Sequence, residues 1–371
     1  MADEPLRETM TLDEALARIP PRPVPHFWVG DVDPLRRRLD AVKRGGVTSV
    51  AHSPGRQPVW LVTYGEREPL SRNANFNSAI GGLDPTAYMD KASRARPVVL
   101  FIGPVHGHET EGVTGLVNLI HVLETGHDLR GRPQPRLCEL ASACRLLIVP
   151  CGNPDGMARF TPRLLNGMAH DDIRFWGQGT RADDTLWGWP DCKRRHPMRG
   201  EDAVGFLGCY YNEAGINPMH DEFFAPHSAE VAAILKVARD EGPDLAVLLH
   251  SHQNPPAVLR PAYVPLDVQA EVAALGEALY ARFESLGLQH GPPVEPRAEQ
   301  GPVPASFNLT SAVYHTSGAS AFTFECPHGV VGERAYTVSP EEILDIQLAL
   351  YETMLAHALA RHQSGGTAAV E

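Results

Sequence analysis

Apolar residues follow two rhythms along this chain. Short unbroken runs, Val98 to Ile102, Arg145 to Pro150, Asp244 to His250 and Phe322 to Glu325, have the length and the β-branched or aromatic character of strands buried on both faces. Between them, apolar residues recur at three- and four-residue spacing. Val113, Leu116, Val117, Ile120 and Val122 predict an amphipathic helix from Thr110 to about Glu124. Ser228 is placed to cap a helix through Val231, Ile234, Leu235 and Val237, and a further helix fits Val268 to Leu286. Ser339-Pro-Glu-Glu342 sets serine at the cap, proline at the first helical position and glutamate three after the cap, which starts a helix running to about Arg361. Val47 to Ala51 and Pro58 to Thr63 flank a Ser-Pro-Gly-Arg turn and read as a hairpin. The alternation of strands and helices predicts one α/β domain with a mostly buried sheet.

The remaining stretches set the organisation. Residues 1–45, rich in proline and arginine, read as an N-terminal extension with short helices near Leu12 to Ile19 and Pro34 to Val42. Residues 46–362 form the main domain, with 66–96 mostly loop and a Gly/Pro-rich link before Arg145. Residues 157–207 carry Trp176, Trp187 and Trp189 and many charges but few periodic apolar runs, and are too long for an ordinary connection, so they are expected to form a covering loop. Residues 363–371 are expected to be a disordered tail.

Composition narrows the function. The chain has 371 residues, 43% of them hydrophobic, and 33 basic against 45 acidic residues give a formal net charge of −12. The charges are interspersed, which argues against a nucleic-acid footprint or an anionic membrane surface. No apolar run approaches membrane length, and the acidic start lacks the layout of a signal peptide. Six cysteines without CxxC spacing exclude a cysteine zinc cluster and are expected to be thiols in a cytoplasmic protein.

The chemistry gathers where the first buried strand gives way to its helix, at His106-Gly-His-Glu109. The crevice beyond the carboxyl ends of strands is where open α/β sheets bind ligands. His106 and Glu109 offer one imidazole nitrogen and one carboxylate oxygen, half of a tetrahedral zinc site, so a third ligand is expected from a distant strand end. His250 closes such a strand. His108 and His252 lie two residues from these candidates and are read as flanking or substrate-facing groups, or as plain surface histidines. Taken singly, each residue has a bland alternative as a hydrogen-bonded polar side chain.

The combination is more specific. A strand-HxxE-helix unit, a later strand ending His250-Ser251 and a still later strand ending in Glu325 resemble the zinc carboxypeptidase family of the carboxypeptidase A and B type. Ser53 to Val62 resembles that family's Ser-x-Gly-Arg hairpin, Gly152 to Gly156 its Asn-Pro-Asp-Gly turn, and Tyr314 to Ser320 its Tyr-x-x-Ser-Gly-x-Ser segment. Together these cover roughly Val47 to Gly329. The resemblance implies a mixed, mostly buried β-sheet flanked by helices on both faces, one Zn2+ per chain held by His106, Glu109 and His250, and Glu325 as general base. It further implies an oxyanion arginine in Cys192 to Pro197, with Arg194 preferred over Arg195, and a substrate-capping Tyr314. Gly208 to Asn217 is similar to the segment whose Asn-Arg pair holds a substrate carboxylate. Here Asn212 is followed by Glu213, which repels a carboxylate unless it is paired by an arginine such as Arg159, Arg163 or Arg194. The implied activity is zinc-dependent hydrolysis of a peptide or amide bond; the alternatives are an amidase or deacylase acting on a small acylated amine, or a non-catalytic zinc- or ligand-binding relative.

Overall fold

The computed structural model of the chain describes residues 8–19, 22–194, 196–198, 204–299, 304–332 and 335–368. The strands are β1 (Gly46–His52), β2 (Pro58–Tyr64), β3 (Val98–Ile102), β4 (Arg145–Val149), β5 (Gly179–Arg181), β6 (Val204–Leu207), β7 (Leu245–His252), β8 (Ala257–Leu259) and β9 (Ser320–Pro327). The helices are α1 (Leu12–Arg18), α2 (Val32–Asp40), α3 (Phe76–Gly81), α4 (Thr110–Thr125), α5 (Pro135–Ser142) and α6 (Pro154–Arg159). They continue with α7 (His170–Gln178), α8 (Ala229–Glu241), α9 (Leu266–Ser285), α10 (Leu309–Ser317) and α11 (Pro340–Ala368).

Seven strands form one mixed sheet in the order β1-β2-β4-β3-β7-β9-β8. The four central strands, β4, β3, β7 and β9, are parallel, whereas β1, β2 and β8 pair antiparallel at the edges. Side chains alternate across the sheet with the two-residue period of a strand. Val99, Phe101, Val247, Leu249, Phe322 and Phe324 pack under α4, α5, α9 and α11. Val98, Leu100, Ile102, Ala246, Leu248 and Ala321 pack on the other face under α8 and α10. Both faces are covered, which is why the central strands read as unbroken apolar runs.

The N-terminal segment completes the first layer and touches the functional end. Phe27, Trp28, Leu35 and Leu39 enter its core. Trp28 Nε1 donates to the Arg163 carbonyl at 2.9 Å and Thr110 Oγ1 at 3.1 Å, and Val29 N donates to Thr114 Oγ1 at 3.0 Å. The start of α4 is thereby pinned from outside the sheet.

Several elements exceed the sequence expectation. Residues 66–96 contain α3, and the link before β4 contains α5. The covering stretch folds into α7 and a second sheet, β5 with β6, and α11 runs past Arg361 to Ala368. Ser228 and Ser339 act as expected at their helix starts, accepting from Val231 N at 3.1 Å and Glu342 N at 3.2 Å. All six cysteines are free thiols. Among the described residues no helix is long and apolar enough to cross a membrane.

Candidate metal centre

The parallel strands all deliver their carboxyl ends to one edge of the sheet. After β3 the chain turns sharply through Gly103 to Glu109 before α4 begins. Gly107 lies so close to the next turn that a Cβ there would sit 2.1 Å from the backbone of Gly156, so only glycine fits between the two histidines. That neighbouring turn is itself fixed: Asn153 Oδ1 accepts from Gly156 N at 2.9 Å, and Asp155 accepts from the Ser53 hydroxyl and, at 3.0 Å, from Gly55 N. Asp155 thus locks the Ser-x-Gly-Arg turn against the metal turn.

His106, Glu109 and His250 converge at this edge, each buried, with donor atoms all within 4.8 Å of one another. Glu109 is shared: its Oε1 lies 2.9 Å from His106 Nδ1 and its Oε2 3.1 Å from His250 Nδ1, and Ser251 N donates to Oε2 at 3.2 Å. Ligands at about 2.1 Å around a tetrahedral zinc stand about 3.4 Å apart, so two imidazole nitrogens and a carboxylate at this spacing fit that ion and leave a fourth position open. The Nε2 atoms of both histidines are buried without a hydrogen-bond partner among the described residues. Burial would raise the Glu109 carboxyl, but the two imidazoles beside it hold it well below the usual carboxylate range. Burial pulls His106 down, while at His250 burial is outweighed by the carboxylates of Glu109 and Glu325 together, which raise the ring.

Glu325 arrives by backbone register. His250 and Glu325 are paired residues of the parallel β7–β9 ladder, so both side chains project to the same face of the sheet. Burial raises the Glu325 carboxyl despite the opposing influence of His250 and His252.

The model of the zinc carboxypeptidase family (peptidase M14) matches residues 45–254, more than half of the chain and all three converging residues. This chain belongs to the zinc carboxypeptidase family. Solved structures show the same fold at low identity. A metallo-carboxypeptidase from Burkholderia cenocepacia is 15% identical with a TM-score of 0.52, over 87% of this chain and 67% of that one. A candidate carboxypeptidase from Burkholderia mallei ATCC 23344 is also 15% identical, with a TM-score of 0.53 over 88% and 68%. Thrombin activatable fibrinolysis inhibitor is 11% identical, with a TM-score of 0.50 over 89% and 74%. No curated protein matches the sequence.

Within this carboxypeptidase fold, other residues singled out in the sequence sit elsewhere. A cavity of about 700 Å³ opens beside the centre, lined by Glu109, His108, His252, Gln178 and Tyr210 among others. Arg194, Asn212, Glu213 and Tyr314 are not part of its wall. Asn212 is fully buried: its Nδ2 donates to Glu230 at 3.2 Å and its Oδ1 accepts from Ala214 N and Ile216 N, both at 3.1 Å, so its carboxamide has nothing left for a substrate. Glu213 is held 2.5 Å from the guanidinium of buried Arg159, which takes up its charge. Tyr314 lies on α10, only 7% exposed, its ring edge-on to Phe76 at 5.6 Å. The Tyr-x-x-Ser-Gly-x-Ser stretch is a helix end, closed by Gly318 at φ 65°, and the helix turns Tyr314 into a side core. Arg194 is 75% exposed and paired with Asp191 at 3.0 Å, and Arg195 lies outside the described residues.

The site gains residues that the motifs did not indicate. Lys193, with its ammonium 5.4 Å from the Trp189 ring centre, exerts its charge on His106, His250 and Glu325. His220 lies in the same neighbourhood, its imidazole lowered by burial and then by the charges of Lys193 and His106, so that it stays neutral. Tyr210 stacks face to face on His106, with ring centres 3.8 Å apart and planes at 9°. Tyr210 stood in the segment read for Asn212 and Glu213, and Lys193 beside the preferred arginine.

Proposed function

We propose that this chain is a zinc-dependent hydrolase of peptide or amide bonds, with His106, Glu109 and His250 as metal ligands and Glu325 as general base. Bound zinc supplies Lewis acidity and an activated water at neutral pH. Glu325 takes a proton at its carboxylate from the attacking water and returns it to the leaving nitrogen, and a carboxyl raised by burial is suited to both transfers. Lys193, whose charge acts on His106, His250 and Glu325, is the cation we assign to the negative charge that grows at the substrate oxygen. The observation that carries this reading is the pairing of His250 with Glu325 across the ladder, which supports a base on the same face of the sheet as one of the three converging donors.

An amidase or deacylase reading of the same site has one specific support. Asn212 is spent on Glu230 and Glu213 on Arg159, so this segment offers no free pair for a terminal carboxylate. The deciding experiment incubates zinc-loaded protein with peptides bearing free or amidated C-termini and with small acylated amines, read by mass spectrometry. Cleavage of an amide bond that disappears in Glu325→Gln supports the proposal. A zinc-replete protein inert toward all three panels overturns it.

A further inference from the structure

Tyr210 is tied to the metal turn more firmly than packing alone requires. Gly107 N donates to the Cys209 carbonyl at 2.8 Å, Cys209 N to the Trp176 carbonyl at 2.7 Å and Tyr210 N to the Gly177 carbonyl at 2.9 Å. The end of α7, the metal turn and the 207–211 strand end therefore form one backbone-bonded unit. Its side chains meet tightly: a Cβ on Gly177 would stand 2.8 Å from His108 Nε2. The Tyr210 ring lies flat on His106, and the Gln178 side chain acts on its phenol against the effect of burial.

Tyr210 and Gln178 each bring a polar group to the wall of the cavity. A neutral phenol keeps its proton for donation. Gln178 is only 8% exposed, and its Oε1 has no hydrogen-bond partner among the described residues. Both residues line the cavity beside Glu109, so a donor and an acceptor stand next to each other at the metal centre. In an extended peptide, the N–H and C=O of one residue point to the same side and engage an adjacent acceptor and donor together.

We propose that Tyr210 and Gln178 clamp the residue of the substrate next to the scissile bond, the Tyr210 hydroxyl donating to its C=O and Gln178 Oε1 accepting its N–H. The substrate class is then a peptide or an N-acylated amino-acid amide, with a second amide beside the one cleaved, in preference to a simple acylamine. This rests on the hydrolase reading and narrows it.

The test uses zinc-loaded protein and two chelating probes, N-acetylglycine hydroxamate and its N-acetylsarcosine counterpart, which lacks the N–H. Binding is measured by calorimetry on the parent, Tyr210→Phe and Gln178→Leu, with the zinc content of each determined alongside. The parent is expected to bind the glycine probe about tenfold more tightly, the scale of one well-made hydrogen bond to an otherwise unpaired acceptor. Gln178→Leu erases that preference, whereas Tyr210→Phe weakens both probes and keeps the preference. Equal binding of the two probes by the zinc-loaded parent, or a preference that persists in Gln178→Leu, overturns the clamp and leaves the hydrolase reading standing. A parent that takes up no zinc overturns the metal reading and the clamp with it.

Discussion

The candidate centre is assembled from two regions held in different ways. One consists of strand ends: β3 leading into His106 and Glu109, β7 carrying His250, and β9 carrying Glu325. Their relative positions follow from the parallel ladder, in which Phe101 pairs with Val247 and His250 with Glu325. The other is the covering stretch, residues 157–207, together with the segment that follows it to Asn217. There, position is decided by which buried polar group finds which partner: Asn212 with Glu230, Arg159 with Glu213. A ladder sets side-chain direction by parity alone. A covering loop sets it by competition among partners distant in sequence, and a substitution there changes stability and specificity before it changes chemistry.

The largest expected effect falls on the strand-end region. His106→Ala or His250→Ala should lower bound zinc from about one per chain to a small fraction and abolish turnover, because two remaining ligands do not make a stable site. Metal analysis of the purified variants checks this, and unchanged stoichiometry in both would remove these residues from the metal. Next, Glu325→Gln should keep zinc and overall packing but lower turnover by about 10² to 10⁴, the usual cost of a lost general base. Activity within a few-fold of the parent would make Glu325 a structural residue.

Legibility divides along the same line. β3 and the start of α4 appear in the sequence where the structure has them, because unbroken apolar runs and a change of period survive without tertiary information. His106, Glu109, His250 and Glu325 were readable as strand-end residues for that reason. Asn212 and Tyr314 were read as facing a substrate, and the structure surrounds them with protein partners. For Asn212 the deciding fact is Glu230, on a helix that motif spacing does not connect to it. For Tyr314 it is that YHTSGAS continues a helix capped by Asn308, so the ring turns toward Phe76. Helix α7 was hidden because its apolar residues, Ile173, Phe175 and Trp176, serve a small side core and make no long periodic stripe.

A third prediction concerns a buried acid at the border of the strand-end region. Glu111 is fully buried; its Oε2 accepts from Ser251 Oγ at 3.1 Å, its Oε1 has no partner among the described residues, and burial pushes its carboxyl up to about 8. An acid whose folded value exceeds its unfolded value of 4.5 contributes most stability below that lower value and loses it as pH rises through the upper one. The parent should therefore lose stability relative to Glu111→Gln between about pH 5 and pH 8.5, and denaturant unfolding of both proteins across that range measures it. Parallel stability curves would contradict a neutral Glu111 in the folded state.

The smallest effect on chemistry is expected from the covering stretch. Asn212→Ala leaves Glu230 short of a donor and two backbone N–H groups short of an acceptor, and should cost about 1 to 3 kcal/mol of stability. KM for any cleaved substrate should stay within about threefold of the parent, since this carboxamide is fully occupied inside the fold. A stable variant with a sharply raised KM would restore Asn212 to the substrate site and erase the contrast between the two regions.

The account depends most on where zinc binds. Crystals of the zinc-loaded protein, measured on both sides of the zinc absorption edge, should show one strong anomalous peak per chain about 2.1 Å from an imidazole nitrogen of His106, one of His250 and a carboxylate oxygen of Glu109. A principal peak on His108 or His252, or no peak near Glu109, would contradict it.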